Sequence, residues 1–243
     1  MIVLYTDFGP DDLYVAQVKA ALIETLSRPE PILDLTHAVP AFDVAAGAHL
    51  LAALQARFPR GTVFFAVVDP GVGTERAPVV VQADGKWYVG PDNGLISVTA
   101  ARAEEVRTWR IVWRPSALSV SFHGRDLFAP VAAWLANGAP PDERLETTPE
   151  LGVRLPADDY PRVVYVDHYG NVLTGLRARS ISESAALDVG QRRIEHSRVF
   201  ADSPRGAVFW YENSIGLVEI AANRASAAAL LGVRVGDTVD VLR

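Results

Sequence analysis

One uninterrupted run of apolar residues, mostly β-branched or aromatic, dominates the hydrophobic pattern of the chain at residues 62–68. Such a run is typical of a strand buried on both faces, as in the middle of a parallel sheet. The run ends abruptly at Asp69, which is followed by two glycines and by Arg76. Because open α/β sheets bind ligands beyond the carboxyl ends of their strands, this stretch is a candidate active site. An ordinary turn at Asp69 and a solvated Arg76 are the alternative interpretation.

The segments around this run alternate between strand and helix patterns. Residues 2–5 predict a buried first strand, and apolar residues then recur at helical spacing as far as Leu26. Asp43 and Asp126 are predicted to cap two further helices. Further strand patterns occur at residues 32–35, 79–81 and 87–89. This alternation predicts an α/β fold with a mostly parallel central sheet.

The composition changes between Ala139 and Pro161, where proline, acidic residues and threonine accumulate, and we predict a linker there. A single helical pattern follows at residues 226–231. Short strand patterns, separated by turns rich in Gly, Asn and Asp, occur at residues 163–166, 208–211, 217–220 and 238–242. We therefore predict an N-terminal α/β domain over residues 1–150 and a smaller, mainly β C-terminal domain over residues 151–243.

Composition narrows the classes of partner. The formal net charge is −6 and no block of Lys and Arg occurs, so a nucleic-acid partner is not expected. The absence of cysteine excludes disulfides, thiolate metal sites and cysteine nucleophiles. No apolar stretch approaches the ~20 residues of a membrane span, and the run at residues 2–5 is too short for a signal peptide. We therefore expect a cytoplasmic protein without a membrane partner.

Acidic residues follow the ends of three predicted strands, at Asp7, Asp69 and Asp92-Asn93. His123 and Arg125 lie in a glycine-containing turn before a predicted helix, and Arg76 follows the central strand. A single aspartate in a turn is usually structural, but several at one sheet edge would form a pocket with acids, an imidazole and a guanidinium. A hydrogen-bonded core histidine is the alternative interpretation of His123.

Carboxylates and histidines together could also bind a divalent metal. The candidate acids lie near arginines, which compete for their negative charge, so we expect no metal. In the second domain, polar candidates occur at Asn171, Ser214 and Glu219. These groups suit a zwitterionic or nucleoside ligand better than a polyanion, unless Asn171 and Ser214 are only turn residues and Glu219 faces solvent.

Six motifs become recognisable when these candidates are taken in order. They are Thr6-Asp7-Phe8-Gly9, Val68-Asp69-Pro70-Gly71-Val72-Gly73-Thr74, Gly90-Pro91-Asp92-Asn93-Gly94, Phe122-His123-Gly124-Arg125-Asp126, Asp167 with Gly170-Asn171, and Ser214-Ile215-Gly216 with Glu219-Ile220-Ala221. Together they resemble the S-adenosyl-L-methionine (SAM) hydroxide adenosyltransferase family, adenosine-forming SAM hydrolases related to fluorinase and chlorinase. The resemblance extends over nearly the whole chain.

The resemblance implies that SAM is the substrate and that it is split into adenosine and L-methionine without a cofactor or a metal. It also implies a homotrimer with each active site at a subunit boundary. The catalytic set of the family falls on Asp69, Arg76 and His123. Its substrate contacts fall on Asp7, Asp69, Asn171, Ser214 and Glu219.

Two departures from the fluorinase pattern favour the hydroxide branch. Only residues 82–86 connect the arms of a predicted hairpin, where fluorinase has a long insertion, and fluorinases lack a histidine at the position of His123. Tyr169 and Gly175 stand where the family usually has Phe and Asn, and the second change affects a contact near Thr174. No residue selects between the sulfonium epimers of SAM, although the family includes enzymes that clear the (R)-epimer.

Two other functions fit the same residues. One is a non-catalytic module that binds SAM or adenosine in this pocket. The other is a metal-dependent phosphoesterase built on Asp7, Asp69 and His123.

Overall fold

The computed structural model describes residues 1–139 and 142–242. Within them the chain forms two compact units that divide between Ala157 and Asp158. No helix in either described range combines the length and the apolar character that a membrane span requires.

The first unit is built on one large sheet. Its strands are β1 (Ile2–Thr6), β2 (Ile32–Thr36), β3 (Val63–Val67), β4 (Pro78–Ala83), β5 (Lys86–Pro91), β6 (Val106–Ile111) and β7 (Leu145–Thr148). They lie in the order β2-β1-β3-β5-β4-β6-β7. β1 pairs in parallel with β2 and β3, and β3 with β5, whereas β4 and β7 run opposite to the strands that they pair with. The predicted α/β fold with a mostly parallel central sheet is therefore confirmed.

β3 is buried on both faces, as its uninterrupted hydrophobic run predicted. Phe65 and Val67 belong to the core on one face of the sheet. On the other face Phe64 stacks on Tyr88, with the ring centroids 4.9 Å apart. Both faces of β3 are therefore apolar, and Asp69 is the first polar residue after the strand.

Four α-helices occur in the described part of the first unit. They are α1 (Tyr14–Thr25), α2 (Val44–Leu54), α3 (Ser97–Ala101) and α4 (Ala129–Ala136). Asp43 caps α2 as predicted, because its Oδ1 accepts a hydrogen bond from Ala46 N at 2.9 Å. The predicted cap at Asp126 is wrong. Asp126 lies inside a π-helical turn, Gly124–Phe128, and its carboxylate accepts from Ser119 N at 2.9 Å instead.

The predicted linker between Ala139 and Pro161 contains regular structure, so this prediction is wrong for part of its length. Residues 140 and 141 of the linker lie outside the described residues. β7 lies within the predicted linker and pairs antiparallel with β6, which extends the sheet by one strand. Its polar sequence concealed the strand, because an edge strand of this kind is mostly exposed and carries no hydrophobic alternation.

Residues after β7 also stay attached to the first unit. The carboxylate of Asp92 accepts from Gly152 N at 2.7 Å, and the hydroxyl of Ser97 accepts from Leu155 N at 3.0 Å. The division between the units therefore lies after Ala157, a few residues beyond the domain boundary that composition suggested at residues 150 and 151.

The second unit is mainly β, as predicted. Its strands are β8 (Tyr160–Val166), β9 (Val172–Arg177), β10 (Ala186–Val189), β11 (Arg192–Ile194), β12 (Val208–Glu212), β13 (Leu217–Ala222) and β14 (Asp240–Leu242). They form an antiparallel sheet in the order β12-β13-β9-β8 and a smaller one in the order β11-β10-β14. Trp210, Leu187 and Ile220 belong to its buried core, and one short helix, α5 (Ala227–Leu231), packs beside it.

Candidate active site

The loop after β3 turns back between Asp69 and Arg76. Val72 N donates to the carbonyl of Asp69 at 3.2 Å, and the Thr74 hydroxyl donates to the carbonyl of Gly71 at 2.7 Å. These two local turns reverse the chain direction. They bring Arg76 alongside the carboxylate of Asp69 at the carboxyl end of the sheet.

Gly73 allows this loop to pass close to the segment that precedes His123. Its φ is +79°, in the left-handed region that favours glycine, and a Cβ there would lie 2.6 Å from the carbonyl oxygen of Val120. A side chain at position 73 would therefore push the loop, and Arg76 with it, away from the His123 segment.

Asp69 and Arg76 form a well-buried ion pair. Nε of Arg76 donates to Oδ1 and Oδ2 of Asp69 at 3.0 and 3.1 Å, and Nη2 donates to Oδ2 at 2.5 Å. The two side chains are only 7% and 9% exposed, respectively. A guanidinium that binds both oxygens of a carboxylate fixes its orientation as well as its position.

His123 is joined to the same guanidinium. Nη2 of Arg76 lies 2.9 Å from Nδ1 of His123. Because arginine can only donate, Nδ1 must accept, and the neutral imidazole then carries its proton on Nε2. Burial and the positive charge of Arg76 lower the pKa of His123 below its ordinary value, which favours this neutral form. The predicted catalytic set is therefore one hydrogen-bonded network with Arg76 in the middle.

Asp7 lies at the end of β1, beside β3 in the sheet. One of its carboxylate oxygens accepts from Phe42 N at 3.2 Å. Burial raises the pKa of Asp7, and the nearby negative charge of Asp69 adds to this, although the bond from Phe42 opposes it. A ligand with hydroxyl or positively charged groups would therefore stabilise the ionised carboxylate of Asp7.

A cleft of about 390 Å³ opens between these residues. Asp7, Asp69 and His123 line it together with Asp12 and an aromatic group. The aromatic group consists of Phe8, Tyr14, Phe42 and Phe122. Apolar walls with a few convergent polar groups are the usual construction of a small-molecule site. In residues 1–139 and 142–242, no group of three or more His, Asp or Glu side chains is arranged to hold a metal ion.

Asp92, Asn93 and Arg125, which the sequence also placed at this pocket, have other partners. Asp92 accepts from Gly152 N, and the Asn93 amide donates to the carbonyl of Val68 at 2.8 Å. The guanidinium of Arg125 binds the carboxylate of its neighbour Asp126 at 2.6 Å. None of these three side chains lines the cleft.

Sequence reasoning did not identify Asp12, Tyr14 and Phe42 as cleft residues. The structure, rather than the sequence, marks Phe42, because it is 75% exposed although aromatic and stands directly before the helix cap. It also has a φ of +65°, which is uncommon for a bulky residue and marks a constrained position.

In the second unit Glu219 is buried, at 7% exposure, rather than facing solvent as the simplest interpretation of its strand had it. The hydroxyl of Tyr211 donates to its Oε1 at 2.6 Å, and the amide of Asn213 donates to its Oε2 at 3.0 Å. Burial and the negative charge of Glu219 raise the pKa of Tyr211, so this hydroxyl remains a donor.

Asn171 and Ser214 lie in turns at the ends of strands in the same unit. The side-chain amide of Asn171 donates to the carboxylate of Asp167 at 2.9 Å, and its backbone N–H binds the same carboxylate at 2.8 Å. Ser214 is exposed in the turn between β12 and β13. β13 pairs with both β9 and β12, and Glu219 of β13 lies opposite Tyr211 of β12. Asn171, Ser214 and Glu219 therefore all lie in or directly beside strands of one sheet.

Two family models and several known proteins match this chain over most of its length. The family model for the SAM hydroxide adenosyltransferase N-terminal domain matches residues 2–144, and the model for its C-terminal domain matches residues 161–240. The (R)-S-adenosyl-L-methionine hydrolase of Thermus thermophilus is 38% identical over 255 residues, which cover 98% of this chain and 97% of that protein. The hydrolase of the same name from Salinispora arenicola is 40% identical over 252 residues, 97% and 95% of the two chains.

More distant relatives include a fluorinase from Actinopolyspora mzabensis, 28% identical over 294 residues that cover 100% of this chain and 97% of the fluorinase. The crystal structure of an uncharacterized conserved protein from Thermotoga maritima superposes with a TM-score of 0.90 at 31% identity, covering 99% of this chain and 100% of that chain. The resemblance recognised from the ordered motifs is thus confirmed, and the chain belongs to the SAM hydroxide adenosyltransferase family.

Proposed function

We propose that this protein hydrolyses SAM to adenosine and L-methionine by in-line attack of water on the ribose C5′ carbon. The observation that carries the proposal is the Asp69–Arg76–His123 network beside a cleft, in a chain that belongs to this family. In this proposal the carboxylate of Asp69, the guanidinium of Arg76 and the imidazole of His123 act on one water molecule.

The chemistry requires help for the nucleophile rather than for the leaving group. As the C5′–S bond breaks, its electron pair stays on sulfur, and methionine departs as a neutral thioether that needs no acid. Water is a poor nucleophile, and its pKa of ~15.7 leaves little of the more reactive hydroxide at neutral pH. A cleft that holds water in line with C5′ and excludes other water supplies much of the remaining acceleration.

Each member of the network has a distinct role in the proposal. Asp69 accepts a hydrogen bond from the water and takes one of its protons as the C5′–O bond forms and the C5′–S bond breaks, so that adenosine leaves with a neutral 5′-hydroxyl. Arg76 stabilises the developing hydroxide character by its charge. His123, whose Nδ1 is occupied by Arg76, donates from Nε2 and orients the water oxygen.

The remaining predicted residues bind the substrate. Asp7 would hold the ribose hydroxyls, and Asp7 and Asp12 together give the cleft negative charge that complements a sulfonium cation. Asn171, Ser214 and Glu219 would bind the adenine and methionine ends. We propose that the reaction uses no cofactor and no metal, and that it takes place in the cytoplasm.

We further propose a homotrimer with its active sites at subunit boundaries. Large apolar side chains are exposed in the first unit at Leu13, Phe42 and Val120, at 74%, 75% and 79% exposure. Phe42 itself lines the cleft. Apolar groups of this size next to a polar site are typical of a surface that is covered in an assembly.

The relatives from Thermus thermophilus and Salinispora arenicola are named (R)-S-adenosyl-L-methionine hydrolases, and we propose the same epimer for this protein. The test is to incubate the protein with each sulfonium epimer in the presence of EDTA and to separate the products by chromatography. Release of adenosine and methionine in equal amounts, unaffected by EDTA and faster from the (R)-epimer, is expected.

Asp69→Asn should abolish this turnover, and Glu150→Gln should not, because Glu150 forms an exposed ion pair with Arg154. Tight adenosine binding with no turnover of either epimer would contradict the proposal and would indicate a binding module. Phosphate release from a phosphoester that depends on Mg²⁺ or Mn²⁺ would indicate a phosphoesterase.

A further inference from the structure

Asp69 leaves the sheet at a point where the backbone ladders on both sides of β3 have ended. The pairing of β3 with β1 ends at Val67, and its pairing with β5 ends at Phe65. Beyond Phe65 the chains still lie close, because a Cβ on Gly90 would lie 2.1 Å from the carbonyl oxygen of Ala66. Val68 therefore follows the last ladder position, directly before the proposed catalytic carboxylate of Asp69.

Where the backbone ladder ends, the side chain of Asn93 supplies the next hydrogen bond to this part of the chain. The amide nitrogen Nδ2 of Asn93 donates to the carbonyl of Val68 at 2.8 Å, and its Oδ1 accepts from Leu95 N at 3.2 Å. The two partners require opposite ends of the amide, so they also fix which end faces Val68. Asn93 thus continues the attachment of β3 to the β5 side of the sheet.

This bond acts directly on the backbone of Asp69. The carbonyl of Val68 and the N–H of Asp69 belong to one planar peptide group, so holding the carbonyl fixes the plane from which Asp69 extends. Without the bond, a partly buried carbonyl would lose its partner, and the strand end would be free to rotate.

We infer that Asn93 is a positioning residue for Asp69: it sets the carboxylate against Arg76 by binding the carbonyl of Val68. The inference rests on the proposed function, because it takes Asp69 as the carboxylate that acts on the attacking water. A displacement of the carboxylate by a fraction of an ångström would reduce the turnover number more than substrate binding.

The test compares two substitutions of similar size. Asn93→Asp retains an oxygen for Leu95 N but presents a second oxygen to the carbonyl of Val68, and Asn93→Leu removes both polar atoms. Each should lower kcat on the order of 10-fold, with a smaller change in KM. As the pH falls, the new carboxyl of Asn93→Asp protonates and can donate to Val68. The kcat of Asn93→Asp relative to wild type should therefore recover toward acid pH, and that of Asn93→Leu should not.

Thr108→Val is the matched control for a simple loss of stability. Thr108 is 6% exposed, and its hydroxyl donates to the carbonyl of Thr148 at 2.7 Å between β6 and β7. This variant should lower the Tm and leave kcat unchanged. Wild-type kcat in Asn93→Leu, or equal recovery of both Asn93 variants at acid pH, would overturn the inference.

The inference and the proposed function can fail separately. If the wild-type protein hydrolyses neither epimer, the proposed function fails, and the position of Asp69 is then decided by crystal structures of wild type and Asn93→Leu. A carboxylate displaced from Arg76 in Asn93→Leu supports the inference, and an unchanged ion pair overturns it. If wild type is active and Asp69→Asn retains full activity, Asn93 has no catalytic carboxylate to position and the inference is overturned.

Discussion

Arg76 holds Asp69 by both carboxylate oxygens, with Nε at 3.0 and 3.1 Å and Nη2 at 2.5 Å. The same Nη2 reaches Nδ1 of His123 at 2.9 Å. The guanidinium is itself packed over the ring of Phe128, 5.3 Å from the centroid. One planar cation therefore sets the distance between an acid from one loop and an imidazole from another.

Arg76→Lys should lower kcat by roughly 100-fold or more while the protein remains folded, because an ammonium is a point charge that cannot hold both partners in a fixed plane. Steady-state kinetics on SAM, with circular dichroism to verify folding, measure this. Retention of kcat within a few-fold would show that only the positive charge at position 76 matters and that the fork geometry does not.

Removal of the Arg114 side chain should move the acid limb of the pH–rate profile, the part in which activity is lost at low pH. Burial and Arg76 lower the pKa of His123 most, and Arg114 lowers it further, while Asp69 and Asp126 raise it. In the proposed mechanism the neutral imidazole is the competent form, so activity should fall as the pH drops through this lowered pKa. Arg114→Ala removes a positive charge, which raises the pKa of His123, and the acid limb should move to higher pH.

The measurement for Arg114→Ala is kcat against pH, with Arg154→Ala as the control for loss of an arginine that pairs with Glu150 instead. An acid limb that stays in place in Arg114→Ala, or that moves equally in the control, would show that His123 does not set it.

Local patterns predicted the parts of the fold that depend on burial within one segment. The apolar run of β3 identified a strand buried on both faces, and Asp43 was recognised as a helix cap. β7 was missed because its pairing with β6 is decided by residues far along the chain, and its own four residues are mostly exposed. A strand of this kind has no periodic signal of its own.

In the candidate site, too, local sequence predicted some of the features, and the others depend on residues far along the chain. Asp7, Asp69 and His123 were expected to meet because the first two follow neighbouring parallel strands, and all three line the cleft. Asp92 looked equivalent to them in sequence, yet it binds Gly152, 60 residues later. Both kinds of aspartate occupy glycine-containing turns at strand ends, so the local sequence does not separate the acids that line the cleft from Asp92, whose carboxylate accepts from the backbone of residues 152 and 153.

Asp7→Asn should weaken substrate binding and stabilise the fold. Loss of a charged acceptor for ribose hydroxyls costs about 1.5–3 kcal/mol, or roughly 10- to 100-fold in KM. The folded-state pKa of Asp7 is raised, so its ionised form costs folding free energy at neutral pH, and removing the charge should raise the Tm there.

The gain in Tm from Asp7→Asn should disappear as the pH falls below the unfolded-state pKa of aspartate, because the wild-type carboxyl is then protonated in both states. Thermal unfolding of both proteins across acid and neutral pH measures this difference. A Tm that falls at neutral pH would show that Asp7 stabilises the fold through partners stronger than its bond from Phe42.

Tyr211→Phe should destabilise the second unit and weaken binding of the methionine end of SAM. The substitution removes the hydroxyl that donates to the buried Glu219 at 2.6 Å and leaves the amide of Asn213 as the donor to its other oxygen. Loss of one partner from a buried carboxylate costs about 1–3 kcal/mol, and each kcal/mol corresponds to roughly 2–4 °C in Tm for a chain of this size.

Differential scanning fluorimetry gives the Tm, and calorimetric titration gives the Kd for L-methionine in the presence of adenosine. Tyr165→Phe, in β8 of the same sheet, is the control for removal of a tyrosine hydroxyl that does not bind Glu219. Equal losses of Tm and methionine affinity in both variants would show that the Glu219 network has no special part in binding.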